Sequence, residues 1–241
     1  PALTSMPIAE AFDFALKVKA KVLSELSLID YTSKVKRFVK WLKEDKPEVT
    51  HVEHYTRKLC MEFLNGILEN SSSRNRNNYR TELSSVFQVL VENEIIDMNY
   101  FQSIKKLRTT PKVHKAFSEE LLDKIYDHLK EEDPIFYLYI QFMSITIMRP
   151  IEVCRLRVGD LDFKKKIIKF KAKNSPLKTK IIPEILYKQL PDLSDKDPNL
   201  LLFTPKKIAG EWDASESNRR GYFSNLFDTK VRKPFQLPSE Y

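Results

Sequence analysis

The chain has 241 residues, of which 42% are hydrophobic and 31% charged, with a formal net charge of +8 and a pI of about 9.2. That is longer than one compact domain usually runs and apolar enough for real cores, so two domains of unequal kind are the first expectation. Four glycines against 13 prolines predict a mainly helical protein with one small sheet at most, and leave little room for a glycine-rich phosphate cradle. Cys60 and Cys154 lie far apart in helical patterns, which fits a reducing compartment and no disulfide framework.

In chain order, the first hundred residues read as four helices. One runs from Pro7 to about Ala20. A second, in DYTSKVKRFVKWLKE, sets Val35, Phe38, Val39 and Leu42 against Lys36, Lys40 and Lys43 on a basic polar face. HVEHYTRKLCMEFLNGILEN predicts a third, with Leu59, Phe63 and Ile67 on its apolar stripe and His54-Tyr55-Thr56-Arg57 on its surface. SSSRNRNNYR opens a fourth, through Leu83, Val86, Phe87 and Leu90.

KKLRTTPKVHK, residues 105–115, holds five basic residues and no acid and is the best linker candidate. Ser118 then caps a new helix whose first turn is acidic. The apolar run 134–148, interrupted by Gln141, Ser144 and Thr146, is too short to cross a bilayer core of about 30 Å and reads as a buried helix. Pro150 opens the next helix. KKKIIKFKAK and KTKIIPE read as two antiparallel strands around a polar turn, and SNRRGYFSNLFDTKVRKPF as a helix after Trp212.

A +8 charge is moderate for this length, so its distribution carries more than its size. Residues 149–183 hold 11 Lys/Arg against three Asp/Glu, and 105–115 add the second basic cluster. A polyanion footprint and a solvated surface both fit. Arg149 and Glu152, three apart on a helix, let a carboxylate orient a guanidinium. Such a pair serves either as a surface ion pair or as a fixed two-point phosphate ligand that stabilises charge in a phosphorane-like transition state. His51, His54 and Cys60 have no fourth ligand at a zinc-like interval, so no metal is expected.

Arg149, Glu152, Leu156, Asp160, Asp162, a hairpin lysine and the Ile-Ile-Pro strand, in that order, resemble the first half of the catalytic domain of the tyrosine recombinases, or phage-type integrases. Arg149-Pro150 is similar to the variant in integrases of Bacteroides-type mobile elements. The preceding helices, the basic stretch and the AFSEELL restart resemble that family's core-binding domain and interdomain linker. The resemblance implies a helical, SAM-like core-binding domain of four to five helices at 1–104, a linker at 105–115, and the first part of an α+β catalytic domain with a small antiparallel sheet at 116–241. In such enzymes the two domains clamp duplex DNA, act as tetramers on paired sites and need no cofactor.

Carried over, Arg149 holds a nonbridging oxygen of the scissile phosphate, Glu152 braces it, and Lys173 is the general acid for the departing 5′ oxygen, with Lys171 and Lys178 as rivals that otherwise touch phosphates. The family then requires a His-x-x-Arg box and a tyrosine nucleophile that forms a 3′-phosphotyrosyl intermediate. No histidine follows His128, and Tyr241 is expected to be a strand-loop residue rather than the nucleophile. The chain is therefore expected to stop before the second catalytic box, to bind DNA without cleaving it, and to be monomeric alone. An arm-binding domain ahead of Pro1 fits as well as a short recombinase without one.

Softer expectations for DNA contact fall on Arg74, Arg76, Asn77, Asn78 and Arg80 at the start of the fourth helix, on Lys34 and Lys36 with Thr32 and Ser33, and on Lys105, Lys106, Arg108, Lys112 and Lys115 along the linker. A bacterial, cytoplasmic, nucleoid-associated location follows from the resemblance. The alternatives are a noncatalytic DNA-binding or architectural protein of the same fold, and a helical protein-interaction module.

Overall fold

The computed structural model describes residues 5–111, 115–172 and 177–238. By its internal contacts the chain divides into two units, Pro1–Pro111 and Lys112–Tyr241. The fold class is the expected one, mainly helical with small antiparallel sheets.

The first unit contains α1 (Ile8–Ala20), α2 (Glu25–Asp45), α3 (Arg57–Glu69) and α4 (Ser73–Glu92). Serine or threonine hydroxyls cap three of them: Ser24, Thr56 and Ser72 each accept from a backbone amide in the first turn. Their apolar stripes meet in an aromatic cluster, with Phe38 against Phe63 at 4.8 Å and Phe87 against Phe101 at 4.9 Å between ring centroids. The third helix starts later than its periodicity predicts. Val52–His54 form a 3-10 turn, and Thr56 caps the helix that follows. The expectation that His54-Tyr55-Thr56-Arg57 lies on a helix surface is thereby corrected, because Tyr55 is buried against Phe87. Thr56 competes for the N-cap more strongly than the upstream apolar spacing can extend the helix.

The second unit begins with α5 (Glu119–Glu132), capped by Ser118, and the buried α6 (Pro134–Thr146), capped by Asp133. After the short α7 (Pro150–Val153) come β1 (Leu161–Asp162), β2 (Ile167–Lys171) and β3 (Leu177–Ile181), which pair antiparallel in the order β1-β2-β3. α8 (Glu184–Tyr187) leads to a second sheet, β4 (Leu201–Phe203) paired with β5 (Ile208–Gly210), and α9 (Glu216–Phe227) runs into a π-helical turn at Asp228–Arg232. The expectation of one sheet at most is corrected. Three-residue strands on either side of a Thr-Pro-Lys-Lys turn are too short to show a two-residue alternation, and Leu201–Phe203 is buried along its whole length. Gly159 is required where this sheet meets the loop before β1: a Cβ there would stand 2.9 Å from that of Pro198, and the Gly159 amide donates to the Pro198 carbonyl.

The two cores differ in how charge is buried. In the first unit Lys34 is 8% exposed and bridges Asp30 and Glu82, both at 2.7 Å, so its ammonium ties α2 to α4. Burial opposes its charge, but the two carboxylates together raise its pKa, while burial raises that of Glu82. Replacement of Lys34 by Met leaves Glu82 without its cation. Urea unfolding is expected to register a loss of roughly 1–3 kcal/mol, and an unchanged midpoint would contradict a bridging role.

Cys60 and Cys154 are both buried. Burial pushes the Cys60 thiol up to about 12 and raises that of Cys154. An unfolded thiol ionises near ~8.5, so this contribution to stability is intact below that pH and is lost as pH rises through the folded value. Ellman's reagent at pH 8 is expected to label neither cysteine in the native protein and both in denaturant.

Candidate nucleic-acid and phosphate-binding site

Arg149 is the last extended residue before α7, with φ −70° and ψ 148°. Both oxygens of the Glu152 carboxylate are used on this one residue: Oε2 accepts from the Arg149 backbone amide at 2.9 Å, and Oε1 from Nη1 of its guanidinium at 2.9 Å. The Glu152 side chain is 4% exposed and that of Arg149 71% exposed. A buried anion thus fixes the root and one nitrogen of a fork whose remaining donors face outward, the arrangement suited to two-point binding of a phosphate. Neighbouring carbonyls are held too. The Tyr139 hydroxyl donates to the Pro150 carbonyl at 3.2 Å and lies 3.3 Å from Cys154 Sγ. Its ring stacks on Phe223 of α9 at 3.9 Å between centroids. Arg155 bonds Glu216 at the start of α9, tying the far end of α7 to the same helix.

The hairpin places its lysines by alternation. Phe170 pairs with Lys178 and Ile168 with Lys180, while Lys171 pairs with Leu177 and Lys169 with Thr179. Ile168 and Phe170 are buried, so Lys178 and Lys180 belong to the covered side of the sheet. Lys171 and Lys169 belong to the exposed side. Lys180 reaches from β3 to the carbonyls of Thr146 and Ile147, just ahead of Arg149. Lys178, two residues from it, is on the same side of the strand and is itself exposed. Lys173 lies outside the described residues.

In the first unit the expected DNA-facing residues separate into two groups. Arg76 is 2% exposed and donates through Nη1 to the Lys105 carbonyl at 2.9 Å. Asn77 donates to the Leu107 carbonyl at 2.8 Å and accepts from the Leu107 amide at 2.9 Å, and Arg80 donates to the carbonyls of Ile104 and Gln102. Together with Lys34, these three are engaged within the protein. Arg74, Asn78 and Lys36 are exposed, as are Lys105, Lys106 and Arg108, which lie on or beside the backbone of Gln102, Ile104, Lys105 and Leu107 that the first group pins. Burial pulls the Arg76 pKa down, with Arg80 adding to the effect. Thr32 is half-buried and Ser33 exposed; Lys115 is exposed, and Lys112 lies outside the described residues. The sequence signal for the pinning role was the arginine spacing of Arg76 and Arg80, one helical turn apart, which reads equally as a basic face.

Comparison with known proteins finds integrases and tyrosine recombinases. A profile of the phage integrase N-terminal SAM-like domain matches residues 10–96. The chain is 28% identical over 165 residues to a tyrosine recombinase of Pseudothermotoga lettingae, covering 65% of this chain and 54% of that one. It is 27% identical over 123 residues to the ICEBs1 integrase of Bacillus subtilis, covering 51% of this chain and 32% of the relative. These matches are to integrases and tyrosine recombinases. The chain spans about a third to a half of the length of these relatives. Likeness of fold to solved integrase structures extends over both units. A lambda integrase tetramer bound to a Holliday junction superposes with a TM-score of 0.74 at 16% identity, covering 95% of this chain and 65% of that one. The Tn1549 transposon integrase in complex with transposon right end DNA gives 0.66 at 15% identity, covering 98% and 82%.

Asn77 gives the most local test of the pinning contacts. Its replacement by Ala removes the acceptor from the Leu107 amide. Hydrogen exchange at that amide is expected to accelerate by about tenfold, the equivalent of one ordinary hydrogen bond, with little change in the α1 and α3 amides.

Proposed function

We propose that this chain is the DNA-binding part, with half of the active site, of a site-specific tyrosine recombinase of the integrase type. The observation that carries the reading is the Arg149 guanidinium, rooted by a buried carboxylate and open to solvent on its other side. Duplex DNA is the partner. The exposed Lys105, Lys106 and Arg108 track phosphates, with Arg74, Asn78 and Lys36 as further contacts on the same unit, and Lys171, Lys178 and Lys115 on the other.

In the proposed reaction a tyrosine oxygen attacks the scissile phosphorus, an O–P bond forms, and the bond from phosphorus to the 5′ oxygen breaks. Arg149 binds a nonbridging oxygen and offsets the charge that builds on it. A hairpin lysine, Lys173 with Lys171 and Lys178 as its rivals, gives its proton to the departing 5′ oxygen. The 3′-phosphotyrosyl ester conserves the bond energy, so the chemistry asks for no nucleotide. Within the 241 residues no His-x-x-Arg follows Lys173, so this chain alone is expected to bind DNA and not to cleave it. The complete recombinase is proposed to work as a tetramer on paired sites in a bacterial cytoplasm. Among the described residues no helix is long and apolar enough to cross a membrane.

Fluorescence anisotropy of a labelled ~30 bp duplex over a salt series tests the reading. Binding is expected to weaken steeply with salt, and joint replacement of Lys105, Lys106 and Arg108 by Ala to reduce the log–log slope by about 2.7, or about 0.9 for each phosphate no longer neutralised. Arg149→Ala is expected to weaken binding with a smaller change in slope. Absence of binding at low salt would favour a protein-interaction module. Light scattering of the free protein is expected to give the monomer mass, 28.4 kDa.

A further inference from the structure

We propose that Lys180 is a positioning residue for Arg149: its ammonium holds the strained turn that presents the arginine, and so links the β2–β3 hairpin to the phosphate-binding fork. The proposal rests on the reading of Arg149 as a phosphate ligand.

The turn between α6 and α7 is poorly served by its own sequence. α6 ends at Thr146, and Ile147 caps it in the left-handed conformation, at φ 52° and ψ 42°. Glycine is the usual residue there, and a β-branched side chain is strained in that conformation. Ile147 has no compensating burial, since it is 83% exposed. The last carbonyls of a helix also lack intrahelical donors. What holds the turn comes from outside the segment. Lys180 Nζ donates to the Thr146 carbonyl and, at 3.0 Å, to that of Ile147. Its ammonium also lies 5.9 Å from the centroid of the Phe170 ring, on the covered side of the sheet. A cation at the end of a helix is electrostatically favoured as well.

Arg149 follows two residues later. Met148 between them is buried, so the path from the Ile147 carbonyl to the Arg149 amide has little slack. The Arg149 amide is already engaged by Glu152, and the Pro150 carbonyl by Tyr139. Lys180 therefore holds the upstream end of a short segment whose downstream end is fixed by two buried groups. Release of the 146 and 147 carbonyls would let Ile147 relax from its left-handed conformation and shift the root of the Arg149 fork. The same strand carries Lys178 on the same side, so movement of the hairpin on a DNA backbone would be transmitted to Arg149 through Lys180.

A double-mutant cycle with the 241-residue chain and the labelled duplex at low salt separates this role from direct phosphate binding. Lys180→Met is expected to weaken binding by about fivefold when Arg149 is present and by less than about twofold in the Arg149→Ala background, with Lys180→Arg restoring most of the loss. Equal losses in both backgrounds would overturn the proposal and make Lys180 an independent phosphate contact. No loss in either background, with Arg149→Ala still weakened, would overturn it while leaving Arg149 as a ligand. An Arg149→Ala chain that binds as tightly as the parent would overturn the reading of Arg149 and this proposal with it. Thermal unfolding of each variant accompanies the cycle. Should Lys180→Met not unfold cooperatively, Lys180→Gln, which keeps amide donors, replaces it under the same criteria.

Discussion

The second unit is organised around one carboxylate. Glu152 is buried, and a buried anion is tolerated only where its lone pairs are answered by strong donors. Here both answers come from Arg149, one from its backbone and one from its side chain. That economy has two effects. The arginine can have only one orientation at its base, and its outer nitrogens are left for something outside the protein. Much of what surrounds the pair secures this geometry: Tyr139 on the next carbonyl, Phe223 behind Tyr139, Lys180 on the carbonyls upstream, and Arg155 joining the end of α7 to α9.

The first unit solves a different problem with similar means. Its exposed lysines and arginine at 105, 106 and 108 sit on backbone with no helix or strand of its own, and such backbone needs donors and acceptors from elsewhere. Arg76, Asn77 and Arg80 supply them from one face of α4. Basic residues that look interchangeable in sequence thus divide into those that hold the segment and those it displays. The fork geometry of arginine suits carbonyl oxygens as well as phosphates, which is why composition could not separate the two uses.

Much of the fold was legible because helical periodicity and capping are local. The stripe Val35, Phe38, Val39, Leu42, the cap Ser118, the serine run that opens α4, and proline at the start of α7 all announce themselves within a few residues. The late start of α3 and the β4–β5 pair were not legible. The first depends on Thr56 outcompeting an apolar pattern that continues upstream, and the second on pairing between strands too short to have a period. In the candidate site, Arg149 and Glu152 could be read from a spacing of three. The burial of Lys34 and Arg76 could not, since it follows from where Glu82 and the Lys105 carbonyl lie in space. The part played by Lys180 was equally hidden, 31 residues downstream of the arginine in a run of similar lysines.

The alternation along β3 also constrains how this hairpin can change length over evolution. Lys178 and Lys180 face one way and Leu177, Thr179 and Ile181 the other, each paired in register with β2. A single residue gained between positions 178 and 180 would carry Lys178 to the side of Lys171 or force a bulge into the strand. Two residues gained together would preserve its facing. Length variation inside this strand should therefore come in pairs, whereas single-residue changes outside the paired positions leave the two lysines on one side.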